Sequence, residues 1–142
     1  MKLNVLAVAL ILFSFVDESQ ASSSVFVYVD IQNQTMTVTA DEPDVTYEWP
    51  VSTGMPGYRT PGGTFEPLWL SKMHVSSIYE NAPMPHAVFF YGGYAIHGTL
   101  EVKRLGRSVS HGCVRLAPRN AKLLFNLIQQ VGKENVMIHI EP

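Results

Sequence analysis

The chain has 142 residues and a single cysteine, Cys113, and the segment around that cysteine is the densest gathering of reactive groups in the sequence. Ile96-His97-Gly98-Thr99 is followed by Leu105-Gly106-Arg107-Ser108-Val109-Ser110-His111-Gly112-Cys113-Val114-Arg115-Leu116, which supplies two imidazoles, one thiol and a guanidinium. A free thiol titrates at about 8.5 and is only a few per cent thiolate at neutral pH, so a nucleophilic cysteine needs a base or a cationic neighbour. His111 stands two residues before Cys113, on the same side of an extended segment. His97 stands sixteen positions upstream, far enough for a strand and a returning loop to bring it back beside the thiol. Both histidines are candidates for the base, and proximity in sequence favours His111. Gly112 permits a sharp turn that can aim the N–H groups of Gly112 and Cys113 at the oxyanion of a tetrahedral intermediate. Arg115, one strand step past the cysteine, is placed to grip a carboxylate with two parallel hydrogen bonds.

Other readings of the same residues carry less. Cys113 as an inert buried hydrophobe leaves its two histidine neighbours without a purpose. A metal centre on His97, His111 and Cys113 lacks a second cysteine and any H-x-x-x-H or C-x-x-C spacing. No metal or organic cofactor is expected. His74, His86 and His139 read as structural histidines.

Met1-Lys2-Leu3-Asn4, the apolar run Val5 to Val16 and the small-x-small segment Ser19-Gln20-Ala21 have the order of a secretory signal. The run is shorter than the roughly 20 apolar residues of a membrane span. Residues 1–21 are therefore expected to be a signal peptide and residues 22–142 one catalytic domain, exported to a periplasmic or extracytoplasmic location. A lone thiol in an exported protein has no partner in its own chain, so it either pairs between molecules or is kept for its chemistry. The net charge of −2 gives no electrostatic footprint for nucleic acid or an anionic membrane.

The elements that must position the site follow from periodicity. Val25, Val27, Val29 and Ile31 alternate with Phe26, Tyr28 and Asp30, which predicts a strand, with Gln32-Asn33-Gln34 as a turn and Thr35 to Ala40 as its antiparallel partner. Val45 to Val51, His86 to Tyr91, Tyr94 to His97 and Val136 to Ile140 read as further strands. Segments 52–57 and 60–65 read as Gly/Pro-rich turns, and residues 66–85 as irregular, with Pro67, Pro83 and Pro85 opposing a helix. Ala121, Leu124, Leu127, Ile128 and Val131 share one helical face, with Pro118 in the first turn and Gly132 just past the end. The expected fold is mainly β, a curved sheet or sandwich with one packed α-helix near the C-terminus.

Ser110-His111-Gly112-Cys113-Val114-Arg115 with Ile96-His97-Gly98-Thr99 upstream resembles the signature of the L,D-transpeptidase (YkuD-type) catalytic domain. Val51-Ser52-Thr53-Gly54 and Thr60-Pro61-Gly62-Gly63-Thr64-Phe65 resemble that family's S-T-G and T-P-x-G-x-F segments, in the expected order from about Val25 to Ile140. The resemblance implies Cys113 as the acylated nucleophile and His97 as general base with the Gly98 carbonyl orienting its ring, the reverse of the order that proximity gives. It further implies Ser110, His111 and Gly112 as supporting residues around the oxyanion site and Arg115 as a substrate clamp. Some family members carry serine at the position of Gly98 and asparagine at that of Arg115.

The implied substrates are peptidoglycan stem peptides, acylating Cys113 as a thioester that an amine resolves. That amine belongs to another stem, giving a 3-to-3 crosslink, or to a lysine of a wall-anchored protein. Water as acceptor makes the same site an L,D-carboxypeptidase or endopeptidase-type hydrolase. Two readings of other classes are a non-catalytic peptidoglycan-binding module and a metal-dependent hydrolase.

Overall fold

The alternation that begins at Val25 becomes a strand whose Val25, Val27 and Val29 are buried while Phe26 faces solvent. The computed structural model describes residues 23–142, and the expected signal peptide at residues 1–21 lies outside the described residues. In chain order the elements are β1 (Val25–Asp30), β2 (Thr35–Asp41), β3 (Asp44–Pro50), β4 (Gly63–Phe65), β5 (Trp69–Val75), β6 (Pro83–Tyr91), β7 (Tyr94–Gly98), β8 (Val114–Leu116), α1 (Pro118–Val131) and β9 (Val136–Glu141). They form two sheets, of order β3-β2-β1-β9-β4 and β5-β6-β7-β8. Both are mixed: β1 pairs in parallel with β9, and β7 in parallel with β8, while the remaining neighbours are antiparallel.

The core lies between the sheets and under the helix. Val27, Val29, Val38, Ile138 and Ile140 of the first sheet join Val88, Phe90, Ile96, Val114 and Leu116 of the second, together with Leu124 and Ile128 of α1. Each such side chain, fully buried, contributes about 1.5–3 kcal/mol of transfer free energy. The opposite face of the second sheet holds a small separate cluster of Met84, Ala87, Phe89 and Ala95, against which Cys113 packs. The sheet therefore has one structural face and one face available for chemistry.

The helix has the limits its sequence predicts. Pro118 occupies the first turn, where its missing N–H has no helical partner to lose, and Gly132 ends the helix at φ +86°. Phe125 is also buried, widening the apolar stripe, and meets the ring of His86 edge-on at 5.3 Å.

Two stretches differ from the sequence reading. Residues 66–85 are not irregular: they contain β5 and the start of β6. Pro83 and Pro85 pair only with β5, because the β6–β7 ladder begins at Val88. The absent N–H groups thus fall where the strand has one neighbour instead of two. β5 is an edge strand with Trp69, Met73 and Val75 exposed, so it lacks the buried alternation that marks β1. Within the expected turn at 60–65, Gly63–Phe65 instead adds an edge strand to β9, in a register of Gly63 with Ile140 and Phe65 with Ile138. Among the described residues, no helix is long and apolar enough to cross a membrane.

Candidate active site

Register decides which side chains meet. β7 and β8 pair as Ile96 with Val114, His97 with Arg115 and Gly98 with Leu116. Ile96, Val114 and Leu116 point into the core, so His97 and Arg115, and Cys113 one strand step before Arg115, belong to the other face. A slip of one residue would bury Arg115 and expose Val114. This face forms one wall of a cleft of about 300 Å³, lined by Cys113, His97, His111, Arg115, Thr99 and Glu101, with Ile78, Tyr79 and Met84 on its apolar side.

His97 is buried, and its Nδ1 lies 2.7 Å from the Gly98 carbonyl oxygen. A carbonyl only accepts, so Nδ1 carries the proton and donates it, leaving Nε2 as the basic nitrogen. Burial pushes the imidazole down to about 4, against the opposing pull of the Gly98 hydrogen bond and with a further push from the Arg115 guanidinium. His97 is thus a neutral base at physiological pH. A Cβ on Gly98 would stand 3.1 Å from Pro85 and 3.3 Å from Pro118, so the small residue seats the start of α1 against β7.

Cys113 is partly buried, with Sγ 4.0 Å from the Gly93 carbonyl oxygen. Burial raises its thiol, while a hydrogen bond from the Ala95 backbone and the charge of Arg115 act in the opposite direction. The resting thiol is protonated.

The turn that presents Cys113 is held by side chains from distant loops. Ser110, fully buried, donates its hydroxyl to the Cys113 carbonyl at 2.6 Å and accepts the Gly112 N–H at 3.0 Å. Thr60 donates to the Gly112 carbonyl at 2.8 Å and accepts the Gly54 N–H at 2.9 Å. Thr53 accepts the Ser110 N–H through its carbonyl (2.9 Å), and its own N–H donates to Gln34 Oε1 (2.9 Å) while Gln34 Nε2 donates to Thr53 Oγ1 (2.6 Å). Ser52 and Arg115 exchange backbone hydrogen bonds of 3.1 and 2.9 Å. The Ser52-Thr53-Gly54 and Thr60 segments singled out in the sequence are therefore the cradle of the cysteine turn. Gly54 must be glycine because a Cβ would collide with the Tyr58 carbonyl oxygen. Gly112, at φ +117°, would drive a Cβ to 2.5 Å from the Tyr94 ring.

This arrangement corrects the expectation for Gly112. Its N–H is committed to Ser110 and is not free for an oxyanion. The Cys113 N–H, with no partner among the described residues, is the donor that remains. His111 lines the cleft, but its ring is packed between Tyr79 (centroids 4.3 Å apart) and Tyr58 (4.7 Å). Arg115 bonds to Glu101 at 3.3 Å. Sequence reasoning missed Glu101, Gln34, Tyr58 and Tyr79, none of which stands in a spacing that signals its partner. His74 meets Trp69 and Phe89 edge-on, and His139 bonds to Thr64 (2.9 Å) and Glu141 (3.1 Å), which are packing and surface roles. Among the described residues no cluster of three His, Cys, Asp or Glu side chains is placed to hold a metal.

A family model described as the L,D-transpeptidase catalytic domain (YkuD) matches residues 24–138, and the chain belongs to that family. Solved structures similar to it include an L,D-transpeptidase from Mycobacterium smegmatis (TM-score 0.72, 30% identity, 84% of this chain and 59% of that one). Another is an L,D-transpeptidase from Stackebrandtia nassauensis (TM-score 0.71, 27% identity, 91% and 60%). A third is an L,D-transpeptidase solved in complex with imipenem (TM-score 0.72, 26% identity, 84% and 59%). The chain thus spans about 60% of the length of these structures. Comparison with curated proteins gave no match.

Two expectations follow. Gln34→Ala strands the Thr53 N–H and hydroxyl in a buried position and should lower stability by about 2–3 kcal/mol in urea unfolding; no change would remove Gln34 from the cradle. His97 is protonated below about 6.5 in the unfolded chain but only below about 4 in the fold. The unfolded state binds the extra proton between those values, so stability present above 6.5 is lost as pH falls to 4, by on the order of 3 kcal/mol. Urea midpoints at pH 7 and pH 4.5 should separate further for the wild type than for His97→Asn, and equal separation would contradict a buried neutral imidazole.

Proposed function

We propose that this protein is an exported cysteine acyltransferase of the L,D-transpeptidase type that acts on peptidoglycan stem peptides. The observation that carries the reading is the placement of His97, in β7, and Cys113, in the turn that enters the adjacent parallel strand β8, along one cleft, with His97 Nδ1–H tied to the Gly98 carbonyl and Nε2 left as base. In the donor step the Cys113 S–H proton passes to His97 Nε2 as sulfur attacks the carbonyl on the acyl side of a terminal D-alanine. The oxyanion so formed takes a hydrogen bond from the Cys113 N–H. Collapse breaks the peptide C–N bond, the imidazolium returns the proton to the departing amine, and a thioester remains on Cys113. An acceptor amine, deprotonated by His97, then attacks the thioester and releases the thiol. A diaminopimelate side chain on a second stem gives a 3-to-3 crosslink, and a lysine of a wall-anchored protein gives protein attachment. Arg115 serves as the clamp for a substrate carboxylate. A similar L,D-transpeptidase was solved in complex with imipenem, which supports a ligand-binding site in this fold.

Intact-protein mass spectrometry with a disaccharide-tetrapeptide tests the donor step: the expected result is an adduct on Cys113 with release of D-alanine. Cys113→Ala should remain folded and form no adduct, and turnover by that variant would sink the mechanism. His97→Ala should slow acylation by about 10² to 10⁴-fold. A larger loss at His111 than at His97 would assign the base to His111.

A further inference from the structure

The cleft wall carries one charged group that the reaction just described does not use. Glu101 follows Thr99 and Leu100, and its backbone is fixed at both ends: its N–H donates to Thr99 Oγ1 at 3.1 Å, and its carbonyl accepts the Arg104 N–H at 2.9 Å as the chain enters a 3₁₀ turn. Only the side chain is free to move. One carboxylate oxygen, Oε2, meets both Arg115 (3.3 Å) and Arg104 (3.1 Å). The two guanidiniums differ in setting. The Arg115 side chain is 21% exposed and lines the cleft, while that of Arg104 is 47% exposed and does not line it.

A single oxygen shared between two guanidiniums gives neither of them the two parallel hydrogen bonds that make an arginine–carboxylate pair strong. A substrate carboxylate entering the cleft can offer Arg115 both of its oxygens. Glu101, half-exposed and already bonded to Arg104, keeps a counter-charge when it lets go. The exchange therefore leaves no charge unpaired, and the contact it breaks is a weak, solvent-screened one.

We propose that Glu101 is a specificity-determining residue, which holds the Arg115 guanidinium until a free carboxylate of the peptide substrate displaces it onto Arg104. The consequence is that Glu101 competes with the substrate carboxylate and tempers the preference for acidic over amidated stem peptides that Arg115 confers. This inference rests on the stem-peptide reading above, but it concerns binding and can be read without turnover.

The test uses Cys113→Ala as an inert background and two probes: a stem tetrapeptide with free carboxylates and the same peptide with its carboxylates amidated. Calorimetry should show the acid bound more tightly than the amide. Adding Glu101→Gln should tighten the acid by about three- to fivefold, the worth of one exposed ion pair, and leave the amide unchanged. Arg104→Ala should weaken the acid, because Glu101 then has Arg115 as its sole partner, and Arg115→Ala should erase the preference between the probes. Glu101→Gln weakening the acid, or shifting both probes equally, would overturn the proposal, as would equal binding of the two probes in the parent background. Failure of the wild type to form a thioester while this binding pattern holds would count against the acyl-transfer reading and support this one independently.

Discussion

The parallel register of β7 and β8 is the constraint on which the site depends. It places Ile96, Val114 and Leu116 in the core and, by the same alternation, His97, Cys113 and Arg115 together on the outer face. β8 has only three residues, Val114–Leu116, too few to hold a register alone. The backbone exchange between Ser52 and Arg115 and the buried hydroxyls of Ser110 and Thr60 hold it instead. The turn that carries Cys113 is thus fixed by hydrogen bonds from separate loops, and Gln34, in the turn after β1, extends that support to the far sheet. Each of these bonds is buried or partly buried, where an unmade one costs more than a made one contributes.

Burial also sets the protonation of the pair. Removing water disfavours the charged form of both partners, so it raises the thiol and lowers the imidazole. The two groups consequently rest neutral, and in the proposed mechanism the nucleophile forms only as the proton crosses to Nε2. Arg115 favours thiolate but disfavours imidazolium, so it does not by itself convert the pair into ions. A neutral thiol in this setting is protected from indiscriminate reaction, since the thiolate is the reactive species.

Much of this was legible in the residues. β1, β9 and α1 announce themselves because each buries one face, and burial on one face is what a periodic pattern records. β5 has little to bury and the prolines of β6 sit where one ladder is missing, so both were hidden from pattern reading. At the site, composition located the chemistry around Cys113, but distance along the chain favoured His111, whereas sheet pairing puts His97 on the adjacent strand. The resemblance of the motifs to the L,D-transpeptidase family carried that preference; spacing did not. The Gly112 N–H looked free because its partner, the Ser110 hydroxyl, is revealed only by the tight turn. Glu101 and Gln34 act through partners fourteen and nineteen residues away, separations that leave no mark on a sequence.

Cys113 and His97 rest neutral and desolvated in one cleft. The ultraviolet absorbance of the Cys113 thiolate, followed in the folded protein across pH beside His97→Ala, reads that protonation state. The expected result is no thiolate at neutral pH and its appearance only above the ordinary range of a cysteine, with little change when His97 is removed. Thiolate absorbance at neutral pH that vanishes in His97→Ala would show a preformed ion pair and contradict it.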